Sequence, residues 1–241
     1  MGADCACLDA ANVTWPNRNG MHYSALVEML ISTYVTFQLY WYALIIKPTL
    51  TYKTPSDPKS CFTAVETCIE KLGRIDVLFH NAGRLSPIVT VVDHDVDDFN
   101  KVIMTNLCGA FYLAKAVIPH MKKHGKGVIV NTASVSGIGG DYGLSSYNAA
   151  KGGLINLTRT IAIDHARDGI RAVTVCPGFM DTPLSEGTLR NEKLRDELFE
   201  SIPMNRGGHP KEVAQLVLFL ASEEASYITG HRKKTIGNLS D

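Results

Sequence analysis

The first 72 residues of the chain contain only two glycines, Gly2 and Gly20. A tight strand-to-helix turn that lets a dinucleotide pyrophosphate reach backbone amides needs closely spaced glycines, so this segment holds no such turn. A charge surplus is absent too, since 24 Lys and Arg balance 24 Asp and Glu. That balance leaves no electrostatic footprint for a phosphate backbone, and nucleic acid is not an expected partner. The six cysteines, Cys5, Cys7, Cys61, Cys68, Cys108 and Cys176, are scattered, and only Cys5 and Cys7 are close, at a spacing that matches no zinc motif. Reduced thiols in a cytoplasmic setting and no metal site are expected. The first twenty residues lack a basic start and an apolar stretch, which predicts no secretory leader.

Residues 25–46 carry one charge, Glu28, and as a helix would span a hydrocarbon layer of about 30 Å. Tyr40, Trp41 and Tyr42 stand near one end like an interfacial belt, but Ser32, Thr33, Thr36 and Gln38 dilute the middle. A buried helix or strand pair within an α/β domain is the preferred assignment, with membrane anchoring as the alternative.

From residue 56 the pattern becomes regular. Asp57 is placed to cap a helix with Pro58 at its first position, and Phe62, Val65, Ile69 and Leu72 recur at helical spacing before Gly73 ends it. A short apolar run over residues 75–79 predicts a buried strand. A helix follows from about residue 97 into the 120s, then a strand over 127–131, a helix over 146–167 and a strand over 171–176. A last helix starts at Pro210. Apolar strands separated by helices predict an α/β domain whose parallel sheet is covered on both faces. The residues from His231 onward are basic, then polar, and predict a frayed end rather than a strand.

In an open parallel sheet ligands bind beyond the carboxyl ends of the strands. Three such ends carry small or polar residues: Asn81-Ala82-Gly83, then Thr132-Ala133-Ser134, then Pro177-Gly178 with Thr182 beyond. Tyr147 and Lys151 lie four residues apart on a predicted helix and so share one face. A free phenol titrates near 10, leaving about one part in a thousand ionised at neutral pH. A neighbouring ammonium lowers such a pKa by about 1–3 pH units, so Lys151 is expected to activate Tyr147. Ser134 ends its strand thirteen residues before Tyr147 opens the next helix, which predicts that both face one crevice.

In order and approximate spacing, Asn81-Ala82-Gly83, Asn106, Ser134, Tyr147-x-x-x-Lys151 and Pro177-Gly178 resemble the short-chain dehydrogenase/reductase family over residues 56–230. The resemblance implies a single-domain, Rossmann-like doubly wound parallel sheet whose first βαβ unit is atypical or incomplete here. It divides the chain into a divergent segment 1–55, a catalytic core 56–230 and a divergent tail 231–241. It implies an NAD(P)-dependent interconversion of a secondary alcohol and a ketone. In that reaction Tyr147 would be the general acid/base, Ser134 would stabilise the charge on the substrate oxygen, and Lys151 would lower the Tyr147 pKa and hold the nicotinamide ribose. Asn106 would anchor a water-mediated proton relay to Lys151. Asn81, Ala82 and Gly83 would line the cofactor site, Pro177 and Gly178 would pack beside the nicotinamide, and Thr182 would contact its carboxamide. Relatives often assemble through the helices carrying Asn106 and Tyr147, so a homo-oligomer is expected.

Family members open with a Gly-rich turn that receives the pyrophosphate. Here it is missing, and Gly137-Ile138-Gly139-Gly140 lies too late in the chain to replace it. Thr54 stands where relatives usually carry an Asp near the adenine, and Glu28 is the only carboxylate between Asp9 and Asp57, so NAD and NADP are not told apart. The final strand of the family is expected to be missing after Thr229-Gly230. Two readings follow: an active oxidoreductase with an unusual cofactor site, or a non-catalytic relative whose cofactor site is lost, serving an interaction role or representing a truncated product.

Overall fold

A computed structural model of the chain describes residues 25–28 and 55–235. Five parallel strands, β1 (Ala25–Glu28), β2 (Val77–His80), β3 (Gly127–Thr132), β4 (Ile170–Pro177) and β5 (Arg232–Thr235), form one sheet in that spatial order. Between them run α1 (Pro58–Leu72), α2 (Val96–Ile103), α3 (Gly109–Lys123), α4 (Ser145–His165), the short α5 (Glu186–Arg190) and α6 (Glu192–Ser201), and α7 (Pro210–Ala221). A five-residue π-helical turn, Met104–Cys108, joins α2 to α3 without a break.

The helix ends obey local chemistry. The Asp57 carboxylate accepts from the backbone N–H groups of Lys59 and Ser60 at 3.3 and 3.0 Å, satisfying donors that an uncapped helix leaves bare. Gly73 closes α1 in the left-handed region at φ 78°, where a side chain would be strained. Along the strands, alternate residues serve opposite faces. Leu78, Ile129, Ile170 and Ala172 pack with Cys61, Val65, Leu113, Val117 and Met121 from α1 and α3. Val77, Val128, Val130, Val173 and Val175 pack on the other face with Val217, Leu220 and Ala221 of α7. A third cluster, Ala110, Ala133, Leu154, Ile155 and Cys176, sits below the carboxyl ends of β3 and β4 and seats α4 there.

One expectation is corrected. The tail is not strandless: β5 pairs in parallel with β4, Thr174 opposite Arg232 and Pro177 opposite Thr235. A parallel ladder is built from backbone groups, so the lack of an apolar run in this segment does not prevent its pairing. The start of residues 25–46 agrees with the preferred assignment to the α/β domain, since Ala25–Glu28 is a strand paired in parallel with Val77–His80, closing an edge of β2 that would otherwise be bare. The remainder of that stretch lies outside the described residues. Among the described residues, one helical stretch, Val96–Lys123, is long and apolar enough to cross a membrane. Val102, Leu113, Val117 and Met121 within it are buried.

The turn after β3 is pressed onto α4. A Cβ on Gly137 would fall 2.6 Å from the Lys151 carbonyl carbon and 2.8 Å from the Gly152 nitrogen, and backbone atoms do not yield. A Cβ on Gly139 or Gly140 would meet nothing within 4 Å. Gly137→Ala is therefore expected to cost about 1–3 kcal/mol in chemical denaturation, the usual range for overpacking. Gly139→Ala is expected to stay within about 0.5 kcal/mol of the parent.

Candidate active site

Beyond the carboxyl ends of β2 and β3 the structure brings together Gly83, Asn106, Tyr147 and Lys151. Lys151, on the second turn of α4, is 3% exposed, and its ammonium donates to the Thr132 carbonyl at 2.7 Å. Burial of this cation lowers its pKa to about 8, with the nearby Cys176 opposing the drop. Cys176 itself is buried, and burial pushes its thiol up to about 11, so it stays protonated. Gly83 lies directly beside this ammonium: a Cβ there would sit 3.4 Å from Lys151 Nζ and 3.8 Å from Asn106 Oδ1. Only glycine leaves that space open.

Ser134 follows β3 and is buried. Its Oγ accepts from Ser136 N–H at 3.2 Å and lies 3.1 Å from Ser136 Oγ, which fixes the hydroxyl at the crevice wall. Tyr147 stands in the first turn of α4, half-buried. Burial raises the Tyr147 pKa above its ordinary value, with Ser134 opposing the rise and Asp141 adding to it. Lys151 Nζ is committed to the Thr132 carbonyl and lies 5.6 Å from the centre of the phenol ring.

Asn106 is fully buried in the π-helical turn and does not bond along its own helix. Its Oδ1 accepts from Arg84 N–H at 2.8 Å and its Nδ2 donates to the Arg84 carbonyl at 2.9 Å. This two-way clamp holds the backbone just after Asn81, Ala82 and Gly83, with Ala82 buried and Asn81 and Gly83 partly exposed. Pro177 ends β4 buried and Gly178 follows it. Thr182 is engaged locally, where its N–H donates to Ser185 Oγ at 3.1 Å and its Oγ1 lies 3.5 Å from the same atom, capping the turn Pro183–Ser185. Sequence reasoning missed Thr132, whose backbone carbonyl no residue type announces. Ser136 was also missed, although a second serine two residues after Ser134 is a known local hydrogen-bonding pattern. No group of three or more His, Cys, Asp or Glu residues among those described is placed to hold a metal ion.

A family profile described as Enoyl-(Acyl carrier protein) reductase matches residues 56–234. The chain is 45% identical over 161 residues to the meso-2,3-butanediol dehydrogenase of Serratia marcescens, a match covering 67% of this chain and 62% of that protein. The chain therefore spans less than two thirds of that relative's length. It is 38% identical over 197 residues to the 2-(R)-hydroxypropyl-CoM dehydrogenase of Xanthobacter autotrophicus, covering 81% of this chain and 79% of the relative. Among solved structures, levodione reductase superposes with a TM-score of 0.74 at 35% identity, covering 76% of this chain and 73% of the other. NAD+-bound xylitol dehydrogenase superposes with 0.73 at 31% identity, covering 78% of each chain. The matched span, the doubly covered parallel sheet and the cluster of Ser134, Tyr147 and Lys151 at its carboxyl edge agree, and the chain belongs to the short-chain dehydrogenase/reductase family.

Proposed function

We propose that the chain is an NAD(P)-dependent oxidoreductase that interconverts a secondary alcohol and a ketone, with Tyr147 as the general acid/base. The observation that carries this reading is the Tyr147 ring set 5.6 Å from the Lys151 ammonium, which is buried and bound to the Thr132 carbonyl at the strand end that Ser134 follows. A substrate oxygen held between the two hydroxyls would receive a hydrogen bond from Ser134 as negative charge grows on it. With its pKa raised by burial, Tyr147 is protonated at neutral pH and able to give its proton to that oxygen in the ketone direction. In the alcohol direction the same phenol oxygen takes the proton, and Ser134 favours the phenolate. The named activities of the relatives, on meso-2,3-butanediol, 2-(R)-hydroxypropyl-CoM and levodione, support a small alcohol or ketone as the substrate class.

The nicotinamide and its ribose would lie on the side of Gly83 that faces the Lys151 ammonium. Asn81, Ala82, Gly83, Pro177 and Gly178 would line that end, and Lys151 would hold the ribose hydroxyls. The cofactor supplies the redox step when bound. A second reading keeps its footing because residues 1–72 lack the Gly-rich turn that receives a pyrophosphate: a family member that no longer binds dinucleotide.

A thermal-shift titration separates the two. NADH or NADPH at about 100 times its Kd is expected to stabilise the chain by about 2.7 kcal/mol, and a melting temperature indifferent to both rules out the oxidoreductase reading. Turnover with a secondary alcohol is expected to fall about 10²–10⁴-fold in Tyr147→Phe; a variant that keeps its rate would show that the proton takes another route. A third outcome concerns Lys151. Its folded pKa of about 8 lies below the unfolded value near 10.4, so between these the unfolded chain binds more protons and stability rises with pH. The stability of the parent relative to Lys151→Met is thus expected to climb from about pH 8 to pH 10, by at most about 1.4 kcal/mol per pH unit. A flat difference would place the ammonium in water.

A further inference from the structure

Tyr147 is the third residue of α4, in the one turn whose backbone donors have no helical partners. That turn is poorly secured from within. Leu144 precedes it without a side-chain cap, and it carries no acidic residue to offset the helix dipole. Two hydroxyls adjoining Tyr147 are instead held from outside. Ser146, fully buried, donates to Ser86 Oγ at 3.0 Å, and Ser145 Oγ lies 3.0 Å from His94 Nδ1.

Both outside partners belong to residues 84–96, which are themselves pinned. The Asn106 amide clamps Arg84 through two hydrogen bonds, and Val89 N–H donates to the Gly143 carbonyl at 3.0 Å. Ser86 lies between these anchors, is 7% exposed, and precedes Pro87, which confines its backbone to extended conformations. The Ser86 hydroxyl is thus a fixed point, and the phenol depends on it through one residue.

We propose that Ser86 is a positioning residue: its hydrogen bond with Ser146 holds the first turn of α4 so that the Tyr147 ring keeps its place beside the Lys151 ammonium. Ser86 does not face the crevice oxygen itself. The inference rests on the reading of Tyr147 as the acid/base, but the placement of the phenol is measurable without turnover.

The experiment compares Ser86→Ala, Ser146→Ala, the double variant and Ser86→Thr in the full chain. Turnover and cofactor KM are measured, and the Tyr147 phenol is titrated by NMR of ¹³Cζ-tyrosine protein, its signal identified by loss in Tyr147→Phe. Ser86→Ala is expected to lower kcat about 10- to 100-fold, as for a misplaced reacting group, with cofactor KM unchanged. Its Tyr147 midpoint should rise, because a displaced phenol loses the lowering influence of Ser134. Ser86→Thr, which retains the hydroxyl, should recover both. If the Ser86–Ser146 bond is the device, the double variant is no worse than the worse single one. Parent-like turnover and phenol midpoint in Ser86→Ala overturn the proposal, as does a double variant whose loss is the product of the two single losses. Should Ser146→Ala fail to fold, Ser86→Ala and Ser86→Thr decide alone. Failure of the acid/base reading is distinct: Tyr147→Phe would keep full turnover, whereas the phenol midpoint in Ser86→Ala would still report on the brace.

Discussion

The hydrogen bond from Lys151 Nζ to the Thr132 carbonyl is the constraint around which the site is organised. An ammonium removed from water is costly unless its protons are received, and the end of a parallel strand offers a carbonyl for that purpose. Accepting it draws α4 against the carboxyl end of β3 and leaves the top of Lys151 beside Gly83. The close approach of Gly137 to the backbone of Lys151 and Gly152 is the steric counterpart of the same contact. Helix, turn and strand are thereby fixed to within the tolerance that proton transfer requires.

Burial is the largest influence on the Tyr147 phenol, raises its pKa, and leaves it protonated at neutral pH. The electrostatic assistance at Tyr147 comes from Ser134, itself anchored by Ser136. Lys151 keeps a pKa near 8, close enough to neutrality for the ammonium to exchange its proton under ordinary conditions. Burial thus pushes the two groups apart on the pH scale, the phenol up and the ammonium down.

Local signals in the sequence were legible where a single residue decides the backbone. Asp57 with Pro58 and Gly73 bounded α1, and the apolar runs before Asn81, Ser134 and Pro177 gave β2, β3 and β4. The placing of Ser134 and Tyr147 was readable because both follow from strand-end and helix-start positions. Contacts between distant segments were not. The Asn106 amide reaches Arg84, twenty-two positions back, and Ser146 finds Ser86 sixty positions away. The short helices α5 and α6 bury no residue, so they leave no apolar period to detect. The edge strand β5 is held by backbone bonds to β4, which its basic residues conceal.

The surrounding family likeness says what chemistry this crevice suits, and the geometry says which atoms must be in place for it. Both depend on Lys151 being dry and bound to Thr132. Titrating the Lys151 side chain directly, by NMR of ¹³Cε-lysine protein with the signal assigned through Lys151→Met, tests this without substrate or cofactor. A midpoint near 8 is the result this structure requires. A midpoint at the ordinary lysine value of about 10.4 would contradict it, since only a solvated ammonium titrates there.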